Sequence, residues 1–400
     1  WQDLQMRDHS PITYGRDIRP CPHDTATLYA TLSTAASGAT GSMWRSRDGG
    51  AGWERIDPTL TPNGTMMGIA PRARSTALQA TTGWQALSGG QLGMATELDA
   101  VIIGAGFSGM YQLLCLRDRL GLKACVLEQG GGVGGTWYWN RYPGARCDSE
   151  SHSYNYTFSK ELLAEWQWSE RYPEQPEIMR YLNHVADKFD LKRDIHFNTK
   201  VISARYHTQE NRWEVTTATG EHFVARFLIT AVGCLSTTNV PKIPGLESFE
   251  GDWYHTGQWP HEGVNFTGKR VGQIGTGSTG IQAVPVIAAQ AKHLTVFQRT
   301  ANYSVPAHNA PLTDEFRSWL KQNRDEVTRI MRSTHNGHPF TISPRKVFEV
   351  SAEERERIYE QAWAYGGLQF RAAFDDIMAN KEANDTAAEF IKGKIRGIVK

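Results

Sequence analysis

Two glycine clusters, Gly104-Ala105-Gly106-Phe107-Ser108-Gly109 and Gly275-Thr276-Gly277-Ser278-Thr279-Gly280, have the residue types and spacing that let a main chain wrap an anion. In each, the first glycine permits a tight turn, the second lets the backbone approach a pyrophosphate, and the third lets a helix pack closely on a strand. The chemistry predicted is dinucleotide binding at both, with the anion at the N-terminus of the following helix. The residues beyond each cluster separate the two. Glu128 ends the strand after the first, and a carboxylate there would accept hydrogen bonds from ribose hydroxyls. Arg299 and Thr300 come after the strand beyond the second, and a guanidinium suits a ribose 2′-phosphate where a carboxylate would repel it. The second site is therefore expected to take NADPH in preference to NADH. The alternatives are a glycine turn in an empty α/β domain for the first cluster and an ordinary surface arginine for Arg299.

These loops need strands before them and helices after them. Val101-Ile102-Ile103 precedes the first, Leu113, Leu114 and Leu116 follow it on a helix, and Ala124-Cys125-Val126-Leu127 forms the next strand. The strand Arg270 to Ile274 precedes the second, and a helix through Ile281 and Gln282 leads on to Val296-Phe297-Gln298. The fold class predicted is α/β: two nested Rossmann-like dinucleotide-binding domains with a helical extension and a short N-terminal β segment. The expected divisions are 1–93, a β segment; 94–234, the N-terminal part of the first dinucleotide domain; 235–311, part of the second; and 312–400, a helical subdomain. Ser351 followed by Glu354 predicts a capping box, and Thr386 to Lys400 a final helical stretch. Within 1–93, the stretch Ser46 to Trp53 with Asp48 and Gly50 resembles the Asp-box turn of sialidase-like β-propellers. One blade alone buries little, so an appendage is expected rather than a carbohydrate-binding module. Met94 reads as a natural start, with fused sequence upstream of it.

Composition excludes several classes. Lys plus Arg is 43 against 42 for Asp plus Glu, a net charge of +1, which argues against a nucleic-acid partner. The 5 cysteines lack metal-ligand spacing and their odd number argues against a disulfide framework, which points to a cytoplasmic protein. No apolar run is long enough for a membrane span. The histidines show no metal-binding arrangement, and no nucleophile elbow is present.

Between the loops lies Phe249-Glu250-Gly251-Asp252-Trp253-Tyr254-His255-Thr256-Gly257-Gln258-Trp259-Pro260. With Phe249, Gly251, His255, Trp259 and Pro260 in place, it resembles the fingerprint of the Baeyer–Villiger monooxygenases, class B flavin monooxygenases of the phenylacetone- and cyclohexanone-oxidising type. The resemblance covers about 94–400. Gly134, Gly135, Thr136 and Trp137 match positions that line the flavin in that family. Arg146, Cys147 and Asp148 match a stretch near the nicotinamide, with Asp148 at the flavin edge as the candidate catalytic residue. Tyr154 and Val201 match further flavin contacts. Physically, Asp148 is an acceptor for an amide or guanidinium and Arg146 a fixed donor; the alternative is a surface ion pair between them. Core packing is the alternative for Tyr154 and Val201. His255 is expected to anchor the link between the two domains by hydrogen bonds rather than to shuttle protons. Trp259 and Pro260 read as packing and rigid-turn residues.

The resemblance implies FAD at the first loop and NADPH at the second, hydride transfer between them, and capture of dioxygen as a flavin peroxide. That species then inserts oxygen beside the carbonyl of a small-molecule ketone, giving an ester or lactone. In that family an arginine assists this step from a segment downstream of the position matching Lys400, so the 400-residue chain alone is expected to be inactive. The alternatives are a flavin monooxygenase oxidising nitrogen or sulfur, and a non-catalytic nucleotide-binding remnant. Oligomeric state leaves no signature.

Overall fold

A computed structural model describes residues 95–334 and 337–398, together with the backbone of four strands nearer the N-terminus. The chain divides into two compact units, one comprising Trp1–Gln91 with Arg329–Pro339, the other Leu92–Thr328 with Phe340–Lys400. In the first unit, β1 (Tyr14–Cys21), β2 (Asp24–Ser33), β3 (Gly41–Ser46) and β4 (Glu54–Arg55) form a four-stranded antiparallel sheet in chain order. The turn between β3 and β4, where the Asp-box residues fall, and Met94 lie outside the described residues.

The larger unit opens with β5 (Thr96–Ile103), whose last residues are buried because every one of Val101, Ile102 and Ala100 is apolar. The N–H groups of Asp99 and Ala100 both donate to Lys123 O, at 2.8 and 3.3 Å. Leu98 and Val101 join one apolar cluster, Ala100 and Ile102 another. Helix α1 (Phe107–Leu114) follows and runs into one π-helical turn, Cys115–Arg119. The fully buried β6 (Ala124–Leu127) is next, then two short helices, α2 (Thr136–Trp139) and α3 (Lys160–Glu165), and the long α4 (Gln175–Lys188). After β7 (Ile195–His196) come β8 (Val201–His207), β9 (Arg212–Thr217) and β10 (His222–Thr230). The sheet order is β7-β6-β5-β10-β9-β8. Its first four strands are parallel, and β10, β9 and β8 return as an antiparallel meander.

The central parallel strands are buried, and helices cover one of their faces. Met110 and Leu113 of α1 and Ile178, Tyr181, Leu182 and Val185 of α4 bury against Ala100, Ile102 and Val126. On the other face Leu98, Val101, Cys125 and Leu127 cluster with Val215, Phe223 and Ala225 of the neighbouring β9 and β10. Each such fully buried large side chain contributes on the order of 2 kcal/mol.

The second glycine loop sits in a smaller assembly: β11 (Arg270–Ile274), α5 (Ser278–Ala288) and β12 (His293–Phe297), with the two strands parallel in a two-stranded sheet. Beyond it lie α6 (Asp314–Ser333), α7 (Ala352–Tyr365) and α8 (Lys381–Ile398). Tyr359, Phe370, Phe374 and Phe390 form the aromatic core shared by α7, α8 and the stretch between them. Ser351 does cap α7, its Oγ accepting from Glu354 N at 3.2 Å. The reciprocal half of the predicted box is replaced, because the Glu354 carboxylate pairs with Arg357 and Arg345 instead. Helix α8 starts earlier than Thr386, since Asn380 Oδ1 accepts from Ala383 N at 2.9 Å and supplies a cap there. Among the described residues, no helix is long and apolar enough to cross a membrane.

Candidate active site

At the end of β5 the chain reverses through Gly104, at φ +101°, a conformation that side-chain-bearing residues rarely adopt. A Cβ at Gly109 would stand 1.8 Å from Gly104 O, so the third glycine is required by helix-on-strand contact. Gly106 faces only another glycine, Gly135, whose backbone is 3.5 Å from the missing Cβ. Gly134 N donates to Ala105 O at 3.0 Å and fixes the Gly134-Gly135 segment over the loop. Helix α1 has no side-chain cap, which leaves its first amides turned toward any anion placed there. Glu128 is buried, and its two oxygens accept from Ala105 N at 2.6 Å and Gly130 N at 2.7 Å. It locks the loop to the end of β6, and each oxygen retains a second lone pair.

Thr136 and Trp137 open α2 directly after this loop. Trp137 Nε1 donates to the Tyr154 hydroxyl at 2.9 Å, with the rings edge to face, and Tyr154 also packs on Phe107. Val201 lies at the start of β8, half-buried against the apolar cluster that contains Leu127.

The stretch carrying Arg146, Cys147 and Asp148 is pinned by backbone bonds from Cys147 N to Pro173 O at 3.0 Å and from Gln175 N to Ala145 O at 2.9 Å. Arg146 and Asp148 do not pair with each other. The Arg146 guanidinium donates to Glu174 Oε1 at 2.7 Å, with Glu170 at 3.7 Å. Asp148 Oδ1 accepts from Gln282 Nε2 at 2.9 Å. Partial desolvation by the surrounding chain raises the Asp148 carboxyl above its usual range although the residue stays solvent-accessible, opposed by hydrogen bonds from Ser278 and Gln282. Cys147 is buried, which pushes its thiol up to about 12 and keeps it protonated at neutral pH.

The second loop repeats the first. Gly275 has φ +102°, and a Cβ at Gly280 would stand 2.5 Å from Gly275 O. At Gly275 and Gly277 a Cβ would meet nothing within 4 Å, so the loop presents bare backbone to open space. Gln298 Nε2 donates to Thr276 Oγ1 at 2.7 Å, which places the exposed Arg299 and Thr300 beside this loop. Ser278 and Thr279 turn toward Asp148 and Tyr142, respectively.

In the central motif, Trp259 is buried in one apolar cluster with Tyr142, Ala145, Phe266, Ala283 and Ile287, its ring 6.1 Å from that of Phe266. It joins the stretch leading to Asp148 to the helix of the second loop. Pro260 O accepts from Gly263 N at 3.1 Å in a turn, as expected. His255 Nδ1 accepts from Gly257 N at 3.1 Å and caps its own turn. Phe249 is exposed, and its ring lies over Gly251, where a Cβ would meet it at 2.8 Å.

A model of the Flavin-binding monooxygenase-like family matches residues 98–307. The chain belongs to this family. As a flavin-binding monooxygenase-like chain it is 47% identical over 310 residues to a Baeyer-Villiger monooxygenase of Pseudooceanicola batsensis, covering 77% of this chain and 56% of that protein. It is 44% identical over 307 residues to a phenazine N-monooxygenase of Lysobacter antibioticus, covering 76% and 57%. Its fold matches that of a steroid monooxygenase solved in the oxidised state with NADP bound, at a TM-score of 0.73 and 52% identity, covering 76% and 58%. The chain thus spans a little over half the length of these members of the family.

Two residues that organise the family site carry little signal in the sequence. Glu174 is distant in sequence from Arg146, so spacing could not pair them. Gln282 left one clue, its place one turn on from Ser278 and Thr279, which puts three polar side chains on the same face at the start of the helix.

Proposed function

We propose that this chain binds FAD at the Gly104 loop and NADPH at the Gly275 loop, and serves a Baeyer–Villiger oxidation in which oxygen is inserted beside a ketone carbonyl. The observation that supports the reading is one buried apolar cluster that gathers Trp259 with Tyr142 and Ala145 of the stretch leading to Asp148 and with Ala283 and Ile287 of the second loop's helix. When bound, the two cofactors supply the hydride and the activation of dioxygen. The residues fit such groups: two glycine turns with bare backbone, each opening an uncapped helix.

Each side chain then has a defined task. Glu128 holds the first loop and offers its remaining lone pairs to ribose hydroxyls. Arg299 provides charge for a 2′-phosphate. Gly134, Gly135, Thr136, Trp137 and Tyr154 form the wall against which the flavin rests. Asp148, with Oδ1 taken by Gln282, keeps acceptor capacity for an amide donor of the nicotinamide. Arg146, committed to Glu174, positions this segment rather than touching substrate. We read 94–234, 235–311 and 312–400 as the two cofactor domains and the helical subdomain, and the N-terminal meander as one blade-like appendage. The substrates are a ketone and dioxygen, in the cytoplasm.

A second reading, oxidation of nitrogen, is favoured by the likeness to a phenazine N-monooxygenase. Product analysis with FAD, NADPH, a cyclic ketone, an aromatic amine and a thioether separates the two. Lactone formation supports the proposal; N-oxide or sulfoxide without lactone overturns it.

A further inference from the structure

The side-chain amide of Gln282 is fully used. Its Oε1 accepts from the Tyr142 hydroxyl at 2.8 Å and from Arg146 N at 3.3 Å. Its Nε2 donates to Arg146 O at 3.2 Å and to Asp148 Oδ1 at 2.9 Å. A primary amide has two donors and two acceptor lone pairs, so all four positions are filled. The orientation is dictated by the partners, because a hydroxyl and an N–H need an acceptor while a carbonyl and a carboxylate need a donor.

All of those partners lie on the 142–148 segment, which carries Asp148, whereas Gln282 belongs to the first turns of α5 and so moves with the second glycine loop. Gly144 lets the two come together: its φ is +77°, and a Cβ there would stand 2.4 Å from Gln282 O. Backbone contact and side-chain amide therefore form one joint between the stretch beside the first loop and the helix of the second.

We propose that Gln282 is a positioning residue that couples the two dinucleotide sites, by fixing the Asp148 carboxylate where a nicotinamide donor meets it. This rests on the reading of the two loops as FAD and NADPH sites. Ser278 of the same helix also turns toward Asp148, but only the amide of Gln282 bridges Asp148 to Tyr142 and the Arg146 backbone, and other side chains at this position cannot. Asparagine is one carbon too short to span both sides, glutamate cannot donate to Asp148, and methionine fills the space without any hydrogen bond.

Titration of the FAD-loaded 400-residue chain with NADP+ by calorimetry tests it. Gln282→Met should weaken NADP+ about tenfold in the Asp148 protein and less than about twofold in the Asp148→Asn background, the non-additivity expected of residues acting through one another. Gln282→Glu sets two carboxylates in hydrogen-bond reach, so its NADP+ affinity should be low at neutral pH and recover on acidification, when one shared proton restores the bond. Because that recovery is read on one variant, a folding defect does not imitate it. Gln282→Met binding within twofold of the wild type, additive losses in the double variant, or a Gln282→Glu profile as flat as the wild type's would each overturn the coupling. A wild-type chain that binds no NADP+ would overturn the underlying reading of the second loop instead, and the coupling with it.

Discussion

The two glycine loops are nearly the same piece of backbone set in very different surroundings. Gly104 and Gly275 turn at φ +101° and +102°, and in both the third glycine closes on the carbonyl of the first. Yet the first loop springs from a six-stranded sheet whose β6 is buried at all of its positions. The second springs from a two-stranded sheet in which Ile274, Val296 and Phe297 are exposed. Loop geometry is thus local, set by glycine and the strand-turn-helix order, while the stability of the frame is not. A dinucleotide site can be legible in sequence and still depend on packing that sequence spacing does not reveal.

The largest expected effect breaks the first frame. Gly109→Ala puts a Cβ 1.8 Å from a backbone oxygen inside a packed layer and should cost at least about 4 kcal/mol or prevent folding, measured by urea denaturation. Gly280→Ala, with 2.5 Å available and an open frame, should cost only about 1 to 2 kcal/mol. Equal losses would abolish the contrast between the regions.

Hydrogen exchange sharpens it further. Amides of β5, β6 and β10 should be at least about 100-fold better protected than those of β11 and β12, since a two-stranded sheet with exposed faces opens locally. Equal protection would mean that the second frame is as firmly held as the first.

The smallest effect is a pH dependence expected from the first region. His152 is buried beside Glu150, Arg171 and Arg324, and burial holds its imidazole below the usual range. A depressed folded pKa means that the unfolded chain takes up the proton first. Stability should therefore be intact above about pH 6.5 and decline as the pH falls from there toward the folded value. Denaturation midpoints at neutral and mildly acidic pH should differ in the wild type, and His152→Gln should reduce the difference.

Much of the fold was legible in the chain. The strands β5, β6 and β11 and the helices after the glycines follow from apolar runs broken by Gly-x-Gly, and their residues announced them. The antiparallel return of β8, β9 and β10 was not legible, because alternation in Arg212–Thr217 marks a strand without naming its neighbour. The same limit explains the site. For His255 the sequence invites a partner without naming it, and the one its Nδ1 has is the N–H of Gly257 in its own turn. Arg146 and Asp148, close in sequence, found partners far along the chain in Glu174 and Gln282. Side-chain pairing across elements depends on topology, and topology is left open by a single sequence.

The central claim is that each loop holds its own dinucleotide, and Gly277→Ala tests it most directly. Gly277 sits at φ −70°, an ordinary conformation, and a Cβ there meets nothing within 4 Å, so the protein itself should be unperturbed. The added methyl occupies the space through which backbone would approach a pyrophosphate. Calorimetric titration should show FAD affinity unchanged and NADP+ affinity reduced at least about tenfold; NADP+ binding that survives intact, or FAD binding lost alongside it, would contradict the account.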